Sequence, residues 1–383
     1  MLIISKVVRR LIKVFLFFLI KQENKRIVFV QESFSGSNTY ALWKFMKNEL
    51  SEEYDLILFK DDNLNTSLNK YYNKFKLLYS AKLILTTHAS YKPTQNHIHY
   101  QLWHGGTTKK AKMDLKKSNG IVSKSWKEVD YILSYSETSS TFLNAIMLAD
   151  FNKYIVTGAP RNDFLLNSNS SENLKNIFPN IDFTNKKILF YLPTYRDFYG
   201  VKLGDKKYDN PFGFSDFNLQ NFNTFLELNK IIILIKIHPH EEALLENHFN
   251  NYSNNNFLII KDYILEQKSI DLYELLGSAD ALITDYSSVY YDFLLLNRPI
   301  IFIPIDLESY DNNMGFLIEN YNEWFIGEKV YDYTNFIKVL ENTILNDENI
   351  FFKSQRKIMQ IQHHRYIDCD SSKRVASFIK SIT

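Results

Sequence analysis

A single cysteine, Cys369, stands in a chain of 383 residues, so no internal disulfide can form, and no Cys/His cluster has the spacing of a zinc site. A reducing compartment suits such a chain. A surplus of one charge is also missing: 45 Lys and Arg face 43 Asp and Glu, a formal net charge of +2. That excludes a global basic field for nucleic acid and makes any anion site a local one. The apolar run 14–20 falls short of the about 20 residues that span a bilayer, and no small-residue cleavage site precedes Lys21 as a secretory signal requires. No acidic triad or Asp-x-Asp follows a strand, so no metal clamp is demanded and no cofactor is implied. Internal repeats are absent.

What is present is apolar and aromatic. Hydrophobic residues make up 45% of the chain, with 30 Phe and 25 Tyr, which excludes a mainly disordered protein. The length exceeds that at which single cores stop growing, so two domains are expected. From Lys25 onward, short β-branched or aromatic runs alternate with longer helical ones, the pattern of parallel sheets with crossover helices. Strands are predicted over 27–30, 56–59, 82–86, 98–103, 131–134 and 155–157, then 188–192, 231–237, 257–260, 281–284 and 300–304. The resulting division is 1–22 as an amino-terminal helix, 23–165 and 186–345 as two doubly wound halves, 166–185 as an Asn/Ser-rich linker, and 346–383 as terminal helices.

Within 2–20, Lys6, Arg9, Arg10 and Lys13 recur at helical spacing, while Leu2, Ile3, Val7, Leu11, Val14, Phe15 and Phe18 form the opposite face. The expectation is an amphipathic helix in the interface of an anionic leaflet, with a packed structural helix or a signal segment as alternatives.

Polar motifs cluster after strands, where the ligands of doubly wound sheets bind. Leu102-Trp103-His104-Gly105-Gly106 follows the strand 98–103 and leads to Lys109 and Lys110. Leu192-Pro193-Thr194-Tyr195-Arg196-Asp197 follows 188–192, Lys236-Ile237-His238-Pro239 follows 231–237, and Thr284-Asp285-Tyr286-Ser287-Ser288 closes 281–284 just before a helical pattern. Thr157-Gly158-Ala159-Pro160-Arg161-Asn162-Asp163 completes the set. The amides and hydroxyls at the start of a helix suit an anion such as phosphate, although Asp285 or Ser287 could equally be a simple cap.

In order and approximate spacing these five blocks, across roughly 80–320, resemble the CDP-glycerol glycerophosphotransferases, membrane-associated enzymes of teichoic acid and capsule polymer synthesis. The resemblance implies a GT-B-like fold, two Rossmann-like domains facing a central cleft, and transfer of glycerol 3-phosphate from CDP-glycerol to a hydroxyl of a lipid-linked saccharide or growing polymer at the cytoplasmic leaflet. Under it, His104 is the base that takes the acceptor proton, Gly105 and Gly106 leave room for close substrate approach, and His238 assists the leaving group. Arg196, Thr284, Ser287, Ser288 and Lys109 bind the pyrophosphate or acceptor. This chain has His104-Gly105-Gly106-Thr107-Thr108-Lys109 where the family usually has His-Gly-Thr-x-x-Lys, displacing the Thr by one position. Two rivals stay open within the fold, a CDP-ribitol transferase and a nucleotide-sugar glycosyltransferase, and outside enzymes a scaffold that kept the fold. The length favours the short, primase-like members.

Overall fold

The computed structural model describes residues 6–61, 67–88, 91–106, 108–109, 125–198, 201–207, 209–238, 241–242, 251–346 and 350–383. The predicted strands form two parallel sheets. The first contains β1 (Arg26–Gln31), β2 (Asp55–Lys60), β3 (Leu83–Thr86), β4 (Ile98–Gln101), β5 (Tyr131–Ser134) and β6 (Tyr154–Val156), in the order β2-β1-β3-β4-β5-β6. The second is built from β7 (Lys187–Tyr191), β10 (Ile231–Ile235), β11 (Phe257–Ile259), β12 (Ala281–Thr284), β13 (Ile300–Phe302) and β14 (Glu328–Lys329), in the order β11-β10-β7-β12-β13-β14. A small antiparallel ribbon, β8 (Asp197–Phe198) with β9 (Val201–Lys202), follows β7. Ile231 to Ile235 are all fully buried, which is why that strand reads as an unbroken aliphatic run rather than an alternating one.

In each sheet the chain starts in the interior, winds to one edge and then crosses to the other. The crossings fall between β1 and β3 and between β7 and β12. Loops diverge there and leave a crevice at the carboxyl ends of the strands. Two doubly wound, Rossmann-like halves opposed across one cleft are the GT-B-like arrangement expected.

The stretch 166–185 departs from a linker. Helices Pro160–Asn167 and Ser170–Ile177 cover much of it, and Leu174, Ile177 and Phe183 are buried in the core of the second half. Its Asn and Ser residues colour the composition, but Leu174 and Ile177, three apart, form a helix face that seals that core. The last helix, Ser371–Ile382, returns to the first half, where Val375, Ala376 and Ile379 pack with Ile27 and Phe29.

The amino-terminal helix Lys6–Leu19 is partly docked. Leu16 is fully buried beside Val28 and Leu78, with Ile12 against the same cluster. Arg9 and Lys13 of the basic face lie over the rings of Tyr71 and Phe75 at 5.6 and 4.4 Å. Val7, Leu11, Val14, Phe15 and Phe18 are more than half exposed, at 67, 63, 56, 55 and 77%. The helix therefore has an apolar inner edge and an apolar outer stripe. Among the described residues, no helix is long and apolar enough to cross a membrane.

Candidate active site

The loop after β4 is held from several sides. Asn38, first residue of the helix Asn38–Leu50, donates through Nδ2 to the carbonyls of Leu102 and Trp103, both at 3.0 Å. The backbone N–H of Trp103 bonds to Gln101 Oε1 at 3.0 Å, and Trp103 sits at φ 52°, a left-handed conformation that a bulky residue adopts only under such constraint. His104 Nδ1 lies 3.1 Å from the carbonyl of Thr87, which assigns the proton to Nδ1 and leaves Nε2 the basic atom. Burial, then the neighbouring His88, hold this imidazole well below the usual histidine range, so it is neutral and able to accept a proton.

Gly105 touches the second half. A methyl on its Cα would stand 2.7 Å from Ser288 Oγ, and one on Gly106 would stand 2.9 Å from the Tyr291 ring. The room expected for substrate is thus occupied by the other half, and the two glycines let the sheets close on each other. Thr108 Oγ1 meets Tyr291 O–H at 2.6 Å, and the N–H of Leu317 donates to the Thr108 carbonyl at 2.6 Å. His104 and Ser288 are therefore brought together.

Arg161, in the motif that had no assigned role, joins these parts. Its Nη1 donates to the carbonyls of His104 (2.8 Å) and Gly36 (3.0 Å), and its Nη2 to Asp292 Oδ2 (2.5 Å). Asp292 is fully buried and also accepts from Tyr273 O–H at 2.7 Å. Nothing local in the sequence ties Arg161 to Asp292; the pairing exists only once the halves face each other.

On the floor of the second half, Arg196 is 5% exposed, and its fork, expected on a pyrophosphate, is engaged by protein carboxylates. Nε and Nη2 reach Asp306 at 2.8 and 2.9 Å, Nη2 also reaches Asp285 at 2.8 Å, and Nη1 donates to the Thr194 carbonyl at 2.7 Å. Burial alone raises Asp285, but Arg196 and Lys206 more than offset it and hold the carboxyl below its ordinary value. Asp285 orients: it accepts from Thr194 N–H at 2.8 Å and locks the loop after β7 onto the loop after β12. Thr284 requires a correction. It is fully buried with its hydroxyl donated to the Leu192 carbonyl at 2.7 Å, so it ties two strand ends together and offers nothing to a substrate.

Ser287 and Ser288 are partly exposed at the start of the short helix Val289–Phe293. Lys109 lies 5.7 Å from the Tyr310 ring; burial lowers it to about 8, with Arg196 adding to the effect and Asp285 opposing it. Lys206, which no motif marked, is buried beside Tyr191 O–H at 2.5 Å and is likewise brought to about 8, chiefly by burial. His238 is exposed on the same edge, its ring stacked on Tyr195 at 4.7 Å. Thr107, Lys110, Pro239 and His240 lie outside the described residues. Among the described residues no group of three or more His, Cys, Asp or Glu side chains could hold a metal ion.

These halves together can take a proton from a hydroxyl at His104 Nε2 and neutralise an anion with Lys109 and the serine hydroxyls. Comparison with known proteins gives the family. The family model for CDP-glycerol:poly(glycerophosphate) glycerophosphotransferase matches residues 12–381. A teichoic acid glycerol-phosphate primase of Bacillus subtilis (strain 168) is 27% identical over 80% of this chain and 75% of its own length. A teichoic acid poly(glycerol phosphate) polymerase of the same strain is 28% identical over 77% of this chain, which spans only 41% of that protein. The solved structure of the wall teichoic acid polymerase TagF superposes with a TM-score of 0.75 at 21% identity, over 97% of this chain and 93% of that one.

Proposed function

We infer that this chain, which belongs to the CDP-glycerol:poly(glycerophosphate) glycerophosphotransferase family, moves glycerol 3-phosphate from CDP-glycerol to a hydroxyl of a teichoic acid acceptor and releases CMP. His104 Nε2 takes the proton of the acceptor hydroxyl. The freed oxygen bonds to the phosphorus that carries glycerol, and the bond from that phosphorus to the CMP oxygen breaks. Lys109, Ser287 and Ser288 compensate the charge on the diphosphate, and His238 donates toward the departing CMP. Arg196 acts through Asp285 and Asp306, holding the cleft floor rather than gripping phosphate. The observation that carries this reading is the seating of Gly105 on Ser288, which sets the base of one half against the hydroxyls of the other.

The acceptor is lipid-linked, and the enzyme works as a peripheral protein on the cytoplasmic leaflet. Support comes from the outer stripe of Val7, Leu11, Val14, Phe15 and Phe18, five large apolar side chains on one helix face left in water. Two experiments test the whole. CMP release is measured with CDP-glycerol, CDP-ribitol and a nucleotide sugar, for wild type and His104→Ala; release from CDP-glycerol that survives in His104→Ala would remove the base. Flotation with anionic vesicles is compared for wild type and a Phe15→Ser, Phe18→Ser variant; equal flotation would remove the docking helix.

A further inference from the structure

Three neighbouring strands of the first sheet, β1, β3 and β4, are followed by Glu32, His88 and His104. Parallel neighbours lie about 4.8 Å apart, so residues just past their ends can stand in a row. These do. Glu32 Oε2 is 3.0 Å from His88 Nδ1, and the His88 ring lies flat on the His104 ring, with centroids 4.2 Å apart and planes 5° from parallel. Trp103 covers His104 as well, at 4.1 Å and 36°. With Nδ1 bonded to Thr87, the plane and tautomer of His104 are both determined, and Nε2 is the atom left to react. The Glu32 carboxylate is only 7% exposed, and such a group is retained when a donor or cation meets it.

We propose that Glu32 and His88 form a positioning pair for His104: the carboxylate fixes the His88 ring, and that ring fixes the plane of His104. The proposal rests on the reading of His104 as the base. The charged groups facing His104 are His88 after β3, with Glu32 behind it, Arg161 from the helix Pro160–Asn167, and Lys109 from its own loop. All but Glu32 resist a positive charge on the imidazole, and His88 is the one in ring contact.

The test compares His88→Ala, His88→Phe, Glu32→Ala and the double variant Glu32→Ala, His88→Ala, with His104→Ala as control. Thermal melts establish folding, and kcat, donor KM and the acid limb of the pH–kcat profile are read. His104→Ala loses roughly 100-fold or more in kcat. His88→Ala loses roughly 10-fold with donor KM unchanged. His88→Phe restores a flat support and most of kcat, yet its acid limb moves up because the ring beside His104 no longer opposes a charge there. Glu32→Ala adds nothing on top of His88→Ala, since the two act as a unit. A merely structural His88 would lower the melting temperature and leave the limb where it was. If the His88 variants keep wild-type kcat and acid limb while His104→Ala is dead, the pair is refuted and the base stands. Activity in His104→Ala would remove both.

Discussion

Replacing Arg161 by Met tests whether the two halves are held by a buried charge pair. Arg161 is 4% exposed and Asp292 not at all, so neither partner retains water when the other is removed. Breaking a buried pair on one side costs about 3–5 kcal/mol, whereas replacing both partners by apolar groups is often near neutral. Against a total stability of about 5–15 kcal/mol, the single loss is large. It corresponds to a drop in melting temperature on the order of 10 °C. The assay is a double-variant cycle of Arg161→Met, Asp292→Leu and their combination, by calorimetry, with kcat beside it. The two singles should each fall by several kcal/mol and the double by much less than their sum. Because Arg161 Nη1 also holds the His104 carbonyl at 2.8 Å, kcat should stay depressed in the double even where stability returns. Additive losses, or singles within about 0.5 kcal/mol of wild type, would falsify the clamp.

Other consequences are as direct. Burial raises Asp163 to about 6 although the N–H groups of Ser372 and Ser371 oppose it. A carboxyl so raised contributes stability that is fully present below its unfolded value and lost as pH rises through the folded one, on the order of 2–3 kcal/mol. Wild type measured against Asp163→Asn should therefore lose that margin between about pH 4 and 6, and a flat difference would refute it. Lys109, brought to about 8, discharges as pH rises through that value, so donor kcat/KM should fall on an alkaline limb near 8 that Lys109→Met flattens. Gly106→Ala meets the Tyr291 ring at 2.9 Å and should cost about 1–3 kcal/mol by overpacking, with kcat falling alongside; an unchanged melt would mean the halves do not close there.

What could be read from the sequence is what strands decide locally. Aliphatic runs placed both sheets, and His104, His238 and Ser287 stand just past the ends of β4, β10 and β12, as their motifs indicated. Burial of charge is not local. Arg196 carries the same signal as a phosphate-binding arginine, a basic residue in a post-strand loop, and only the approach of Asp306, 110 residues away, engages its fork from within the protein. Thr284 fails for a related reason: the last residue of an interior parallel strand has a neighbour on each side, and the Leu192 carbonyl takes its hydroxyl before any ligand can. Glu32 and His88 left no motif because their meaning is adjacency of β1, β3 and β4, a property of strand order rather than of spacing. The glycines sharpen the point. Gly105 and Gly106 do mark a close approach, as their residue type indicates, but the approaching group is Ser288 and Tyr291 of the opposite half. Polar residues past strand ends can therefore be picked out from one chain, while which of them hold the two halves together follows only from packing.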